Sequence, residues 1–275
     1  MCLWFPDERG KDQLYVVESQ DSWYWPTHGL QRTPYKTWMK QAKEASFNVV
    51  LMPLKAEAIR KFDVEATRQF FFETEGLPYG MHNFIYGWID TERDNLPPAL
   101  ANEFLPIFGA IGYSIAPKTF DIVYSQALNK RLGTEGLSPS QIAATAARRG
   151  MTTQQVMAMP EQDGWVYSGI EPRDGLSYVC SAYVAALYKA GGMFGDLEIN
   201  ATEWVPRDIY ELNIFDKEFK RPQACIDADP TLPYCQLIGK YRFDYTFDYS
   251  WVEMYDHMDE HCSSINPTYF RPEGC

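Results

Sequence analysis

One cysteine sits where thiol chemistry is favoured. The stretch "DGLSYVCSAYVAALYKAGG" runs from Asp174 to Gly192. Ser177 suits an N-cap and Gly191-Gly192 ends the apolar pattern, so the spacing predicts a helix from Tyr178 to Ala190 with Cys180 in its first turn. Unpaired N–H groups and the positive dipole end of a helix favour a thiolate, the attacking form of cysteine. The same spacing supports a second reading. Cys180, Val184 and Leu187 fall at i, i+4 and i+7, which would make Cys180 a small core residue on an apolar stripe.

A nucleophilic thiol needs a base and a group to orient that base. The chain has four histidines. His28 lies in "DSWYWPTHGLQ", where the plain reading is a surface loop residue. His82 lies in the aromatic segment "GLPYGMHNFIYGWIDT" and reads either as a structural histidine or as a substrate contact or base. His257 and His261 are four apart in "HMDEH"; with no third ligand evident, a solvated helix is expected there rather than a metal site. Glu18 closes the run "LYVVES", and alone it reads as a strand-end residue facing solvent.

The elements that must position these residues follow from local pattern. "MCLWF" and "LYVVES" flank a polar turn containing Gly10 and predict a hairpin. In "TPYKTWMKQAKEAS", Thr33 as N-cap, Pro34 at N1 and an apolar face of Tyr35, Trp38, Met39, Ala42 and Ala45 predict a helix. "FNVVLMPL" predicts a buried strand, and Asp63 to Thr74 a helix closed by Gly76. Ser138 with Gln141, and Thr152 with Gln155, each have capping-box spacing at the start of a short helix. The middle of the chain, about residues 92–165, reads as a helical insertion. From about Lys217 onward the pattern is irregular and reads as an extension wrapping the domain.

The net charge of −12 argues against a nucleic-acid or anionic-membrane partner, since neither surface attracts such a field. No apolar run approaches the ~18 residues a membrane span needs. Cys225 and Cys235 bracket "IDADPTLPY", and Cys262 and Cys275 bracket "SSINPTYFRPEG"; both are short, Pro-bearing segments of the kind disulfides staple, and neighbour pairing is expected. Asn200 opens the glycosylation triplet "NAT". These features predict a secreted or lumenal protein. The first residues lack the basic start and apolar core of a signal peptide, so the expectation is a fragment with its N-terminus missing.

The order of "LYVVES", "GLQRTPYKTWMKQA", "FNVVLMPL", a helix, "GLPYG" and later "YVCSAYVAALYKAGG" resembles the circularly permuted papain-like hydrolases of the NlpC superfamily, within an uncharacterised eukaryotic group of the permuted branch. The resemblance covers roughly Met1 to Phe84 and Ser177 to Phe215. It implies an α+β fold in which the Cys180 helix packs on an antiparallel sheet. It divides the chain into a papain-like domain over 1–216 carrying the insertion, and a disulfide-bearing extension over 217–275.

For function, the resemblance maps the nucleophile onto Cys180 and the polar partner of the catalytic histidine onto Glu18. The histidine itself falls upstream of Met1, and His28, His82, His257 and His261 do not occupy its place. The implied activity is that of a cysteine hydrolase or acyl transferase acting on an amide, ester or thioester in a small molecule, peptide or lipid, with Tyr79, His82, Trp165 and Tyr167 as cleft walls. Such chemistry requires no metal or organic cofactor. The alternative from another class is a non-catalytic binding or structural module that keeps the papain-like shell.

Overall fold

A computed structural model describes residues 1–21, 27–81, 111, 114–157, 159, 163–166, 175–176 and 178–239. The expectations that fall on His82, Tyr167, Ser177, His257, His261, Cys262 and Cys275 lie outside them.

The chain opens with the predicted hairpin, β1 (Cys2–Pro6) against β2 (Asp12–Gln20), antiparallel with Cys2 opposite Val16 and Pro6 opposite Asp12. A third strand, β3 (Gly29–Pro34), pairs antiparallel with β2 from Tyr15–Pro34 to Gln20–Gly29. This corrects the reading of the segment as loop running into a helix start. Thr33 is not an N-cap but a ladder residue opposite Val16. The helix α1 (Tyr35–Glu44) begins after Pro34, whose φ of −51° and ψ of 131° make it the boundary residue. Proline tolerates that place because a strand-edge or pre-helical position needs no N–H from it.

The two faces of this sheet have different partners, because successive side chains of a strand alternate. Leu3, Phe5, Val17 and Leu30 point into the main core, together with Phe71, Tyr178, Ala182 and Tyr183. The other face carries Val16, Glu18 and Thr33 beneath α1, where the Trp38 indole reaches the Glu18 carboxylate.

Beyond α1 come β4 (Val49–Leu51), the short α2 (Ala56–Lys61) and α3 (Val64–Thr74). Asp63 caps α3 by accepting from Ala66 N–H at 2.9 Å, as the sequence pattern predicts. The expectation of a buried strand over "FNVVLMPL" needs correction. Only three residues are extended, and Leu51 remains 36% exposed; among the described residues β4 pairs with one strand, from the far end of the chain.

The middle of the chain is helical, with its own core. It comprises α4 (Pro117–Phe120), a π-helical turn (Asp121–Gln126), α5 (Ala127–Leu132), α6 (Pro139–Arg148) and α7 (Thr153–Met157). Leu128, Leu132, Ile142, Ala146, Val156 and Met157 form a cluster separate from the sheet core. Both capping boxes are present: Gln141 Oε1 accepts from Ser138 N–H, and Gln155 Oε1 accepts from Thr152 N–H.

The helix α8 (Cys180–Ala190) runs through the main core, with Ser181, Ala182, Tyr183, Ala185, Ala186, Leu187 and Tyr188 buried. It is followed by a 3₁₀ turn (Ala201–Glu203), α9 (Pro206–Glu211), α10 (Gln223–Ala228) and β5 (Cys235–Ile238). β5 pairs antiparallel with β4, and the Cys225–Cys235 disulfide ties α10 to it. Residues 217–239 thus hold more regular structure than their sequence reads. The fold is mixed α+β with small antiparallel sheets, and among the described residues no helix is long and apolar enough to cross a membrane.

Candidate functional site

The helix that carries Cys180 starts two residues later than its pattern predicts. Val179, extended at φ −77° and ψ 175°, is the boundary residue, and Cys180 is the first helical residue. Tyr183 N–H makes the first intrahelical bond to Val179 O at 2.9 Å. Cys180 N–H is therefore one of the amides that a helix start leaves without an intrahelical acceptor. The thiol is free and exposed, whereas Leu187 on the same stripe is fully buried. The structure thus decides against Cys180 as a core residue: the stripe continues into the interior, but its first member stands outside.

Three contacts hold this helix start in place. Ser19, fully buried at the end of β2, donates its hydroxyl to Tyr178 O at 2.8 Å. Gly80 N–H donates to the same carbonyl at 3.0 Å, within a parallel bridge between Tyr79 and Tyr178. Ser181 Oγ donates to Trp204 O at 2.8 Å. The segment leading to Tyr79 is itself stitched to β3, since Leu30 N–H donates to Leu77 O at 2.9 Å and Gly76 N–H to Leu30 O at 2.8 Å.

Tyr79 is brought to Cys180. Its phenol lies beside Cys180, near enough to interact with both the thiol and the backbone N–H of that residue. Burial first, then the charge of a Cys180 thiolate and that of Asp21, push the phenol well above its ordinary range. It therefore stays protonated wherever a thiol titrates, and serves as a donor. Asp21, one residue past the end of β2, is an acidic member of this corner that the sequence reading did not single out. The signal that could have found it is its place two residues after Ser19 on one face of the strand.

Glu18 is placed differently. Its carboxylate accepts from Trp38 Nε1 at 2.9 and 3.0 Å and from Gln20 Nε2 at 3.2 Å. These contacts lie on the α1 face of the sheet, while the Cys180 helix packs on the other, so the structure does not bring Glu18 and Cys180 together. Burial raises the Glu18 pKa above the usual carboxylate value, partly offset by the two donors and the adjacent Met1 amine.

Trp165 packs against the Arg131 guanidinium, 5.3 Å from it, on the helical insertion. Nearby Asp163 accepts from Lys189 Nζ at 2.7 Å and Thr202 N–H at 3.0 Å, linking that insertion to the far end of α8. Asn200 is half-buried just before the 3₁₀ turn, and Thr202 of its triplet is 2% exposed with its hydroxyl 3.4 Å from Asp163 Oδ1. A glycan transfer would have to precede folding. Among the described residues no three His, Cys, Asp or Glu side chains cluster as a metal ion would require.

Comparison with protein-family models, with curated proteins and with solved structures finds no match to this chain.

Proposed function

We propose that the protein is a cysteine-dependent hydrolase or acyl transferase of the permuted papain-like type, working through a Cys180 acyl-enzyme on an amide, ester or thioester. The observation that carries this reading is an exposed thiol at the first residue of an 11-residue helix, beside the buried Tyr79 phenol. Two donors, the Cys180 N–H and the protonated Tyr79 hydroxyl, lie where negative charge would develop on an acyl oxygen during attack by Sγ. A substrate carbonyl would accept hydrogen bonds from the Cys180 N–H and from the Tyr79 hydroxyl. The Cys225–Cys235 disulfide supports a secreted or lumenal setting, since disulfides persist in oxidising compartments.

The test is alkylation of Cys180 by iodoacetamide, followed by peptide mapping to separate it from Cys2. An activated Cys180 reacts well below pH 8, whereas an ordinary thiol titrates at about 8.5. Incubation with an activated acyl ester should add one acyl group to Cys180, visible in the intact mass and absent in Cys180→Ser.

A second reading has a specific observation behind it. Glu18 faces α1 rather than Cys180, as a shell kept for binding without catalysis would allow. Ordinary reactivity of Cys180 with no acyl adduct would give this reading the lead.

A further inference from the structure

We propose that Ser19 is a positioning residue for the Cys180 nucleophile: by holding the Tyr178 carbonyl it fixes where α8 begins and leaves the amides of the first turn to the thiolate. This rests on the acyl-transfer reading above and adds to it the residue that sets the thiol. Ser19 breaks the pattern of its own strand. Side chains two apart on a strand share a face, and Val17, the previous residue on that face, is fully buried in the apolar core. Ser19 is fully buried as well, opposite Leu30. A hydroxyl taken from water into such a place is costly unless it is bonded, and this one donates to Tyr178 O at 2.8 Å.

That bond accounts for the late start of the helix. The local pattern favours a helix from Tyr178, in which Ala182 N–H would donate to Tyr178 O. A carbonyl oxygen has two lone pairs, and here both are taken from outside the helix, one by Ser19 Oγ and one by Gly80 N–H at 3.0 Å. Tyr183 N–H to Val179 O is then the first bond of α8, and among the described residues Ala182 N–H has no backbone acceptor. The amides of Cys180, Ser181 and Ala182 therefore precede the ladder, at the positive end of a helix whose first side chain is the exposed thiol.

Amides without an intrahelical acceptor favour a thiolate over a thiol. Removing the Ser19 hydroxyl opens one lone pair of Tyr178 O to the first turn, which is the pairing that the local pattern favours. An amide bonded there no longer serves the sulfur. Ser19 acts through the Tyr178 peptide and takes no proton itself. The other titratable groups at the site stay in place when it is changed: the Tyr79 phenol, on the segment after α3, and Asp21, past the end of β2, whose charge acts on that phenol.

The experiment measures the iodoacetamide rate of Cys180 against pH, together with site-resolved amide exchange, in the full chain, in Ser19→Ala and in Thr74→Val. The last variant controls for the loss of a buried hydroxyl, since Thr74 Oγ1 bonds Phe70 O at 2.8 Å and the Tyr183 hydroxyl at 3.0 Å rather than Tyr178. In the parent, Ala182 should exchange faster than Tyr183. In Ser19→Ala, protection at Ala182 should rise, the Cys180 rate at neutral pH should fall about two- to fivefold, and the profile should move toward that of an ordinary thiol, at about 8.5. Thr74→Val should lower the melting temperature and leave the profile alone. If Ser19 served packing alone, Ser19→Ala would loosen Ala182 and Tyr183 together, and that result overturns the inference. A parent in which Ala182 is as protected as Tyr183 overturns it without any variant, and so does a reactive thiol whose profile survives Ser19→Ala. A parent thiol that is itself ordinary overturns the acyl-transfer reading, and with it the role of Ser19 in the reaction.

Discussion

The Tyr79 phenol stands beside Cys180 at the start of α8, on a segment held there by the parallel bridge between Tyr79 and Tyr178. A phenol placed there acts on whatever negative charge appears beside the thiol, and because burial keeps it protonated it does so at every pH at which the thiol is ionised. Removing only its oxygen isolates the effect. Tyr79→Phe should keep the melting temperature near that of the parent and lower the acylation rate of Cys180 by about 10² to 10³, the usual loss for one oxyanion donor. Single-turnover acylation followed by intact mass gives the number. Equal rates in the two proteins would remove Tyr79 from the reaction.

Glu18 gives a prediction of opposite sign from most losses of charge. A carboxyl with a raised folded-state pKa holds its proton more tightly when folded. Its favourable contribution is present below the unfolded value of about 4.5 and is lost as pH rises through the folded value. At neutral pH the parent carries the cost of a buried carboxylate, and Glu18→Gln does not. The amide oxygen still accepts from the Trp38 indole. Glu18→Gln should therefore raise the urea midpoint at pH 7, with the advantage fading as pH falls toward 4.5. A midpoint that drops at pH 7 would mean that the carboxylate holds α1 to the sheet by charge.

These two residues show what was legible before the structure. The helix starts at Asp63, Ser138 and Thr152 announce themselves by neighbours three or four positions away, because helix starts are local objects, whereas the Cys180 helix begins two residues later than its pattern. β3 was not legible. "GLQRTP" has a glycine and a proline at its ends, and its strand character comes from pairing with β2. β5 is similar: "CQLI" is extended because β4, nearly two hundred positions earlier in the sequence, accepts it. The same non-locality hid the relation of Glu18 to Cys180. The run "LYVVES" gives alternation but not which face meets α8, and only the contacts of Trp38 and of Ser19 decide that.

The Cys225–Cys235 bridge is the predicted neighbour pair that lies within the described residues. Cys225 and Cys235 are 1% and 0% exposed, and their loop spans 10 positions. Closing a loop of this size removes unfolded-state entropy equivalent to about 3 kcal/mol. The double change Cys225→Ser, Cys235→Ser should lower stability by roughly that amount in denaturant titration, and should release β5 from β4 first, seen as faster amide exchange at Val49 to Leu51. An unchanged exchange rate there would show that the β4–β5 ladder stands without its bridge.

Gly29 ties the sheet to the site, and its replacement tests both. Its φ of 88° disfavours any residue with a Cβ, and the nearest atom to that Cβ would be the Leu77 carbonyl oxygen, a backbone atom that cannot swing aside. Gly10 provides the comparison, since it has a φ of 74° but nothing within 4 Å of a built Cβ. Gly10→Ala should therefore cost only the conformational part, about 1 kcal/mol. Gly29→Ala adds displacement of the Leu77–Pro78 backbone, for a total of roughly 2–4 kcal/mol. Because Leu77 and Pro78 lead directly into Tyr79, the same change should slow Cys180 acylation even in molecules that remain folded, while Gly10→Ala leaves that rate alone. If the two alanine variants melt alike and acylate alike, the segment before Tyr79 does not lean on β3, and the corner that holds Tyr79 beside Cys180 loses its support.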